Sequence, residues 1–152
     1  MSKQIQFIEN GTVIDHIKSG EALKVLEVLR LTNLVKEGQI KVMIGCNFES
    51  RNHHTKDFIK ISNGFLEPKD LNRISLLSPD VTISVIRDFR IVEKYTVKVE
   101  HELKDILVCL NPTCITNFEE IPTRFYSDEK VPGLFECHYC EGLLKEKEMQ
   151  FV

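Results

Sequence analysis

The sequence predicts an α+β protein in two parts: a ferredoxin-like antiparallel sheet carrying two helices over residues 1–100, then a small zinc-ribbon-like β domain over residues 101–152. Three observations predict it. Through the first hundred positions the apolar residues switch between strand and helix spacing in the order strand, helix, strand, strand, helix, strand, with one strand added. Four of the five cysteines, Cys109, Cys114, Cys137 and Cys140, fall in the last third. The charge also changes sign: residues 1–100 carry 15 basic and 13 acidic side chains, net +2, and residues 101–152 carry 5 and 10, net -5. The boundary falls near Glu100-His101, where a polar stretch running to Asp105 interrupts the apolar pattern.

Each element has its own signal. The run Thr12-Val13-Ile14-Asp15-His16-Ile17 after Gly11 is rich in β-branched residues and reads as a strand. Ser19 is then a candidate N-cap for a helix in which Ala22, Val25, Leu26 and Leu29 recur at helical spacing. Beyond Gly38, Ile40, Val42 and Ile44 alternate with Lys41, Met43 and Gly45, as a half-buried strand requires. A polar loop from Asn47 to Thr55 precedes a strand from Asp57 to Ile61. Pro68 suits the first turn of a second helix bearing Leu71, Ile74 and Leu77, which Pro79 follows. Val81, Ile83 and Val85 alternate next, and Asp88 separates them from a last strand containing Phe89, Ile91 and Tyr95. Two helices cover only one face of such a sheet, so the other face predicts a homodimer or another partner.

Composition narrows the function classes. The 152 residues are 42% hydrophobic and 28% charged, an ordinary globular balance, with a net charge of -3 that argues against general nucleic-acid binding. No apolar run approaches the ~18–20 residues that span a bilayer, and the N-terminus lacks a signal-peptide core. The expectation is a soluble, cytoplasmic chain with no membrane and no nucleic-acid partner. There is no low-complexity linker and no internal repeat.

The cysteines carry the strongest chemical signal. The spacing Cys109-x4-Cys114, 22 residues, Cys137-x2-Cys140 can bring two pairs onto one tetrahedral ion. Two disulfides or four unrelated thiols are the alternatives, disfavoured in a cytosolic chain, and an iron–sulfur centre is the rival metal reading. Zn²⁺ held by four thiolates has no open position, so the predicted site is structural. The remaining lobe offers scattered core candidates, Ile106, Leu107, Val108, Phe118, Phe125 and Phe135, so metal supplies much of its folding free energy. Its carboxylates point to a protein partner rather than phosphate. Cys46 stands alone; a nucleophile needs a positioned base, and nothing in the sequence sets His53 or His54 beside it.

Four stretches together resemble the regulatory chains of aspartate carbamoyltransferase: Gly11 to Ile17, Lys56-Asp57-Phe58-Ile59-Lys60-Ile61, Leu107 to Ile115 around the first cysteine pair, and Cys137-x-Tyr139-Cys140-Glu141. The likeness covers nearly the whole chain in one order. It implies an N-terminal nucleotide-binding domain that pairs into a regulatory dimer, and a C-terminal zinc domain that docks on the catalytic chain. It further implies a holoenzyme in which such dimers join catalytic trimers, and no catalysis by this chain. Carried onto this sequence, the effector site for nucleoside triphosphates of the CTP, ATP and UTP class falls on Asp15, His16, Lys60 and Lys94. Lys56 lies nearby, and main-chain contacts to the base come from Ile5 to Ile8. Asp15 and Lys60 would face the nucleoside, and His16 and Lys94 the phosphates. Ser84 stands where the family commonly has Asn, and Phe89 where it commonly has Tyr, both beside the base or ribose. Contacts to the catalytic chain fall on Asn111, Tyr139 and Glu141, with Thr113 and Gly142 standing where the best-known members carry Asn and Lys.

Plainer readings exist for these residues. The lysines can be solvated strand residues, and Asp15 and His16 a local hydrogen-bonded pair. Two other functions compete: a stand-alone zinc-ribbon adaptor or metabolite- or RNA-binding module, which lacks the aromatic run of an RNA reader, and an enzyme using Asp15, His16 and Cys46, which lacks a nucleophile–base pairing in the sequence.

Overall fold

The structure, a computed structural model, describes residues 8–51 and 54–152. The chain divides into two compact units, Met1–Lys98 and Val99–Val152. No helix among the described residues is long and apolar enough to cross a membrane.

The first unit is a five-stranded antiparallel sheet built from β1 (Gly11–Lys18), β2 (Lys41–Glu49), β3 (Thr55–Ser62), β4 (Thr82–Arg87) and β5 (Arg90–Thr96), in the order β2-β3-β1-β4-β5. This is the ferredoxin-like arrangement with β5 added at one edge. Three helices accompany it: α1 (Ala22–Val28), α2 (Thr32–Lys36) and α3 (Pro68–Leu77). Directly opposed residues of antiparallel strands share a face, so the register separates the two sides of the sheet row by row. Ile44, Ile59, Ile14 and Ile83 form one cross-strand row, and all four belong to or pack against the core that also contains Val25, Leu29 and Ile74 from the helices. The neighbouring row, Met43, Lys60, Val13, Ser84 and Lys94, faces the other way.

Two departures from a regular ladder matter. Register shifts between Ile14 and Ile17 in β1 and between Gly45 and Phe48 in β2 mark bulges, with His16 and Asn47 at φ of 60° and 59°. Gly45 is required where it stands. It pairs with Phe58, and a Cβ there would lie 2.2 Å from two carbons of the Phe58 ring. That ring is nearly buried and meets the edge of Phe48 at a centroid distance of 5.1 Å.

Several expectations are corrected. Helix α1 ends early because Arg30 adopts φ 53°, and the chain restarts as the short α2. Ser19 does not cap α1; its hydroxyl donates to the Asn47 side-chain oxygen, and Glu21 holds the cap position without a side-chain bond. The buried carboxylate of Asp57 receives the Gly20 and Ala22 N–H groups instead, at 2.9 and 3.1 Å. Phe89 is not in a strand. It shares the β4–β5 turn with Asp88, both at positive φ (65° and 50°), the geometry of a tight hairpin turn. By contrast α3 begins as its sequence announces, with Pro68 inside a Glu67–Asp70 capping box.

The second unit is a four-stranded antiparallel sheet in sequence order: β6 (Glu102–Lys104), β7 (Arg124–Ser127), β8 (Leu134–Cys137) and β9 (Leu143–Lys145). Leu103, Ile106, Leu107, Phe125, Phe135 and Leu144 make its core. Phe118, expected there, is 72% exposed because it follows a short 3-10 helix, Ile115–Asn117, that turns outward.

Gly45→Ala tests the close approach in the first unit. The added methyl must displace the Phe58 ring, and overpacking of this kind costs about 1–3 kcal/mol, so thermal unfolding should show a clear drop in midpoint.

Candidate metal centre and open sheet face

Two loops in the second unit bring the four cysteines together. Their Sγ atoms all lie within 4.8 Å of one another, with Cys109 and Cys140 3.7 Å apart and Cys114 and Cys137 3.8 Å apart. A tetrahedral ion with metal–sulfur bonds of ~2.3 Å holds its sulfurs about 3.8 Å from each other, whereas a disulfide needs ~2.05 Å. The geometry fits a four-thiolate metal site, and all five cysteines are free thiols.

Local hydrogen bonds shape both loops. In the first, the Asn111 side-chain oxygen accepts from the Thr113 N–H and hydroxyl at 3.1 and 2.9 Å, and the Cys114 N–H donates to the Asn111 carbonyl at 3.1 Å. Asn117 then ties the loop down, donating from its side-chain amide to the carbonyls of Cys109 (3.0 Å) and Asn111 (2.7 Å). In the second, the Cys137 N–H reaches the Gly142 carbonyl and the Glu141 N–H the Cys137 carbonyl, both at 2.9 Å, with Glu141 at φ 60°. Gly142 passes so close to Cys140 that a Cβ there would sit 3.2 Å from its sulfur. Tyr139 is 39% exposed and donates to the Pro122 carbonyl at 3.2 Å.

Without an ion among them, the buried sulfurs resist ionisation. Burial pushes the Cys109 thiol well up, and that of Cys137 up as well, with their thiol neighbours adding to the rise. Burial also acts upward on Cys140, but hydrogen bonds from the Asn111 side chain and the Gly142 N–H, with the adjacent thiols, bring it down to about 7. Buried sulfurs that resist ionisation become thiolates when a positive ion lies among them.

On the first unit's open face, the structure brings five of the proposed effector residues together. Lys60, Ser84 and Lys94 stand in the same cross-strand row, with Val13 between Lys60 and Ser84. Ser84 is nearly buried and Lys94 exposed. Lys56 meets Asp15 through both carboxylate oxygens, at 2.8 and 2.9 Å. Burial acts to raise the Asp15 pKa, but the Lys56 hydrogen bond and the His16 N–H outweigh it, and the carboxyl lies below its ordinary value. Its contribution to stability is therefore complete above about pH 4 and is lost as the pH falls through the lowered value. Burial lowers the Lys60 ammonium, helped by Lys56 and opposed by Asp15.

His16 and Phe89 are placed differently. The bulge leaves the His16 side chain about half exposed, with Nδ1 3.9 Å from Asp15. Phe89 lies past the far end of β4, which extends about 17 Å from Thr82, the partner of Asp15, to Arg87. Its N–H is held by the Glu9 carbonyl at 2.9 Å, and its ring is 63% exposed. Of the N-terminal segment expected near the base, Ile5 to Phe7 lie outside the described residues, as does His53; Ile8 is buried. Cys46 is exposed at the β2 bulge.

Nothing in an isolated Asn between Thr116 and Phe118 announces two side-chain bonds back across the first metal loop. Asn117→Ala removes both, and at about 0.5–1.5 kcal/mol each the second unit should lose stability by roughly 1–3 kcal/mol. Its metal should also exchange faster, a rate measurable with a chromogenic chelator.

Comparison with known proteins agrees with this geometry. Residues 3–98 match the family model for the aspartate carbamoyltransferase regulatory chain, allosteric domain, and residues 101–150 match the metal binding domain of the same chain. The chain is 43% identical over 143 residues to the aspartate carbamoyltransferase regulatory chain of Methanocaldococcus jannaschii, covering 94% of this chain and 93% of that one. The corresponding protein of Pyrococcus abyssi is 40% identical over 146 residues, covering 96% and 95%, and that of Methanothermobacter thermautotrophicus 40% over 148, covering 97% and 92%. The family's first domain is allosteric and not catalytic. With an allosteric domain on an open antiparallel sheet and a metal-binding domain built on four converging cysteines, the chain belongs to the aspartate carbamoyltransferase regulatory chain family.

Proposed function

We propose that this chain binds nucleoside triphosphates on the open face of its first sheet and passes the signal to catalytic chains of aspartate carbamoyltransferase, in pyrimidine biosynthesis in the cytoplasm. The observation that carries the reading is the in-register row of Lys60, Ser84 and Lys94 beside the Lys56–Asp15 pair. Lysine ammonium groups hold a polyphosphate as point charges and need no glycine-rich loop. Asp15, Lys60 and Ser84 serve the nucleoside, His16 and Lys94 the phosphates, and Phe89 the base from the far end of the sheet. The register supports this assignment for the lysines most strongly, since it places two cations on separate strands over one surface.

Zinc is the metal proposed for Cys109, Cys114, Cys137 and Cys140, one ion per chain. Four thiolates complete its coordination, so its role is to hold the two loops. Those loops present Asn111, Tyr139 and Glu141 to the catalytic chain. Asn111 acts there through the loop it organises, since its amide already serves Thr113 and Cys140. Two regulatory chains pair, and such pairs join catalytic trimers.

Metal analysis of the purified chain should find one zinc, with replacement of any of the four cysteines by serine unfolding the second unit. Chelation should abolish co-migration with the catalytic chain on gel filtration while nucleotide binding persists. A metal-free chain that still docks contradicts the assignment.

Lys60→Ala and Lys94→Ala should each weaken triphosphate binding by about 1.5–3 kcal/mol, ten- to a hundredfold, with Lys60→Ala also weakening the nucleoside. A bound polyanion favours the charged form of the Lys60 ammonium that burial disfavours, so at pH values near that of the Lys60 ammonium binding takes up protons. Affinity should fall as the pH rises through the Lys60 value in the free chain, and the calorimetric heat should depend on buffer ionisation. Unchanged affinity in both variants overturns the site.

A further inference from the structure

A buried carboxylate at the meeting point of both strand bulges has no part in the proposed contacts, and its position calls for one. Asp57 is fully buried, yet both its oxygens are engaged by backbone from two separate segments. Oδ2 accepts the N–H of Gly20 at 2.9 Å and of Ala22 at 3.1 Å, and Oδ1 accepts the N–H of Asn47 at 2.9 Å. One side chain thereby fixes the β1–α1 turn, the start of α1 and the β2 bulge. Burying a carboxylate is expensive unless its oxygens are satisfied, and three backbone N–H groups from two segments satisfy them here.

The consequence appears on the opposite face. In β1, Ile14 pairs with Ile59 and Ile17 with Asp57, so three steps along β1 oppose two along β3. Anchored at Ile14 by the core and after Lys18 by the Asp57 oxygens, the chain has one residue too many between them. The excess is taken up at Asp15-His16, where His16 turns to φ 60° and its N–H meets the Asp15 carboxylate at 2.8 Å. The neighbour of Asp57 in the strand, Lys56, emerges on that same open face and closes on Asp15 through both oxygens.

We infer that Asp57 is a positioning residue for the effector site: by holding Gly20, Ala22 and Asn47 from within the core, it forces the bulge that presents Asp15, His16 and Lys56 together. This rests on the nucleotide-binding reading of the open face only for its functional consequence. Asparagine is the informative replacement, because its single oxygen accepts on one side while its NH₂ opposes an N–H on the other. Either the Asn47 contact or the Gly20 and Ala22 contacts must then be lost.

Two readouts on the full chain test it. The first is the titration of the Asp15 carboxyl followed by NMR, which needs no nucleotide. In the native chain it lies below the ordinary aspartate value, and in Asp57→Asn it should move up as the Lys56 and His16 contacts loosen. The second is calorimetry with cytidine and adenosine triphosphates, where Asp57→Asn should bind about tenfold more weakly, the loss of ~1.4 kcal/mol. Ile74→Val, a cavity variant in α3, provides the comparison for destabilisation alone and should change neither. Gly20→Ala strains one of the three donors at φ 91° from an exposed turn and should shift both readouts in the same direction. It carries the test if Asp57→Asn does not fold.

An Asp15 titration unchanged in the folded variants overturns the positioning role, as does an equal loss of affinity in Ile74→Val. If the native chain binds neither triphosphate while the Asp15 titration still responds to Asp57→Asn, the functional reading of the face fails and the structural role of Asp57 stands.

Discussion

The register of β1 between β3 and β4 is the constraint on which the first unit depends. Ile14 and Val13 are neighbours in sequence, but one heads the apolar row against the helices and the other lies between Lys60 and Ser84 on the open face. A slip of one residue would exchange the faces, driving lysines into the core and isoleucines into solvent. Each buried isoleucine contributes on the order of 1.5–3 kcal/mol, so the core fixes the register. The same choice fixes the cation row on the opposite face. The geometry of the row is thus a by-product of packing on the reverse side, and its precision is that of the core.

The second unit works from the opposite direction. With four principal buried side chains on four short strands of three or four residues, and Ile106 and Leu107 just after β6, it has too little apolar surface to order the long β6–β7 connection and the β8–β9 loop. What holds the loops is the convergence of four sulfurs, assisted by Asn111, Asn117 and the Gly142 carbonyl. Chemistry substitutes here for hydrophobic area. The consequence is a lobe whose loop surface is only as well defined as its metal.

Legibility in the sequence followed how local each signal was. The alternation at Ile40, Val42 and Ile44, the Pro68 helix start and the cysteine spacing are all contained within a few residues, and strand order and the metal cluster followed from them. What failed depended on distant partners. Ser19 had the right chemistry for a cap, but Asp57, 35 residues beyond Ala22, supplies the acceptor. Phe89 looks like strand material, and the turn that places it at positive φ is anchored by Glu9 and by the Asn10 side chain, which holds the Asp88 N–H at 3.2 Å. Phe118 is the local exception: its hydrophobicity favours burial, but the 3-10 turn Ile115–Asn117 just before it points it out. Of the proposed effector residues, the lysines and Ser84 share a row that no linear spacing could reveal, since the β1, β3, β4 and β5 registers are all needed to see it.

On the proposed reading, that row also limits how nucleotides can be told apart. Lysine charges at Lys60 and Lys94 attract any triphosphate, so they contribute affinity without choosing a base. Discrimination requires polar groups that one base satisfies and another leaves unpaired. Within the row, Ser84 offers one short hydroxyl that can both donate and accept, and past the far end of β4 Phe89 offers a ring without the polar tip of a tyrosine. A hydroxyl that serves either polarity and a ring that stacks on either base discriminate weakly. On the proposed reading, then, base selection does not come from this row. Lys56 cannot supply it, being committed to Asp15 on the side where Asp57 holds the bulge.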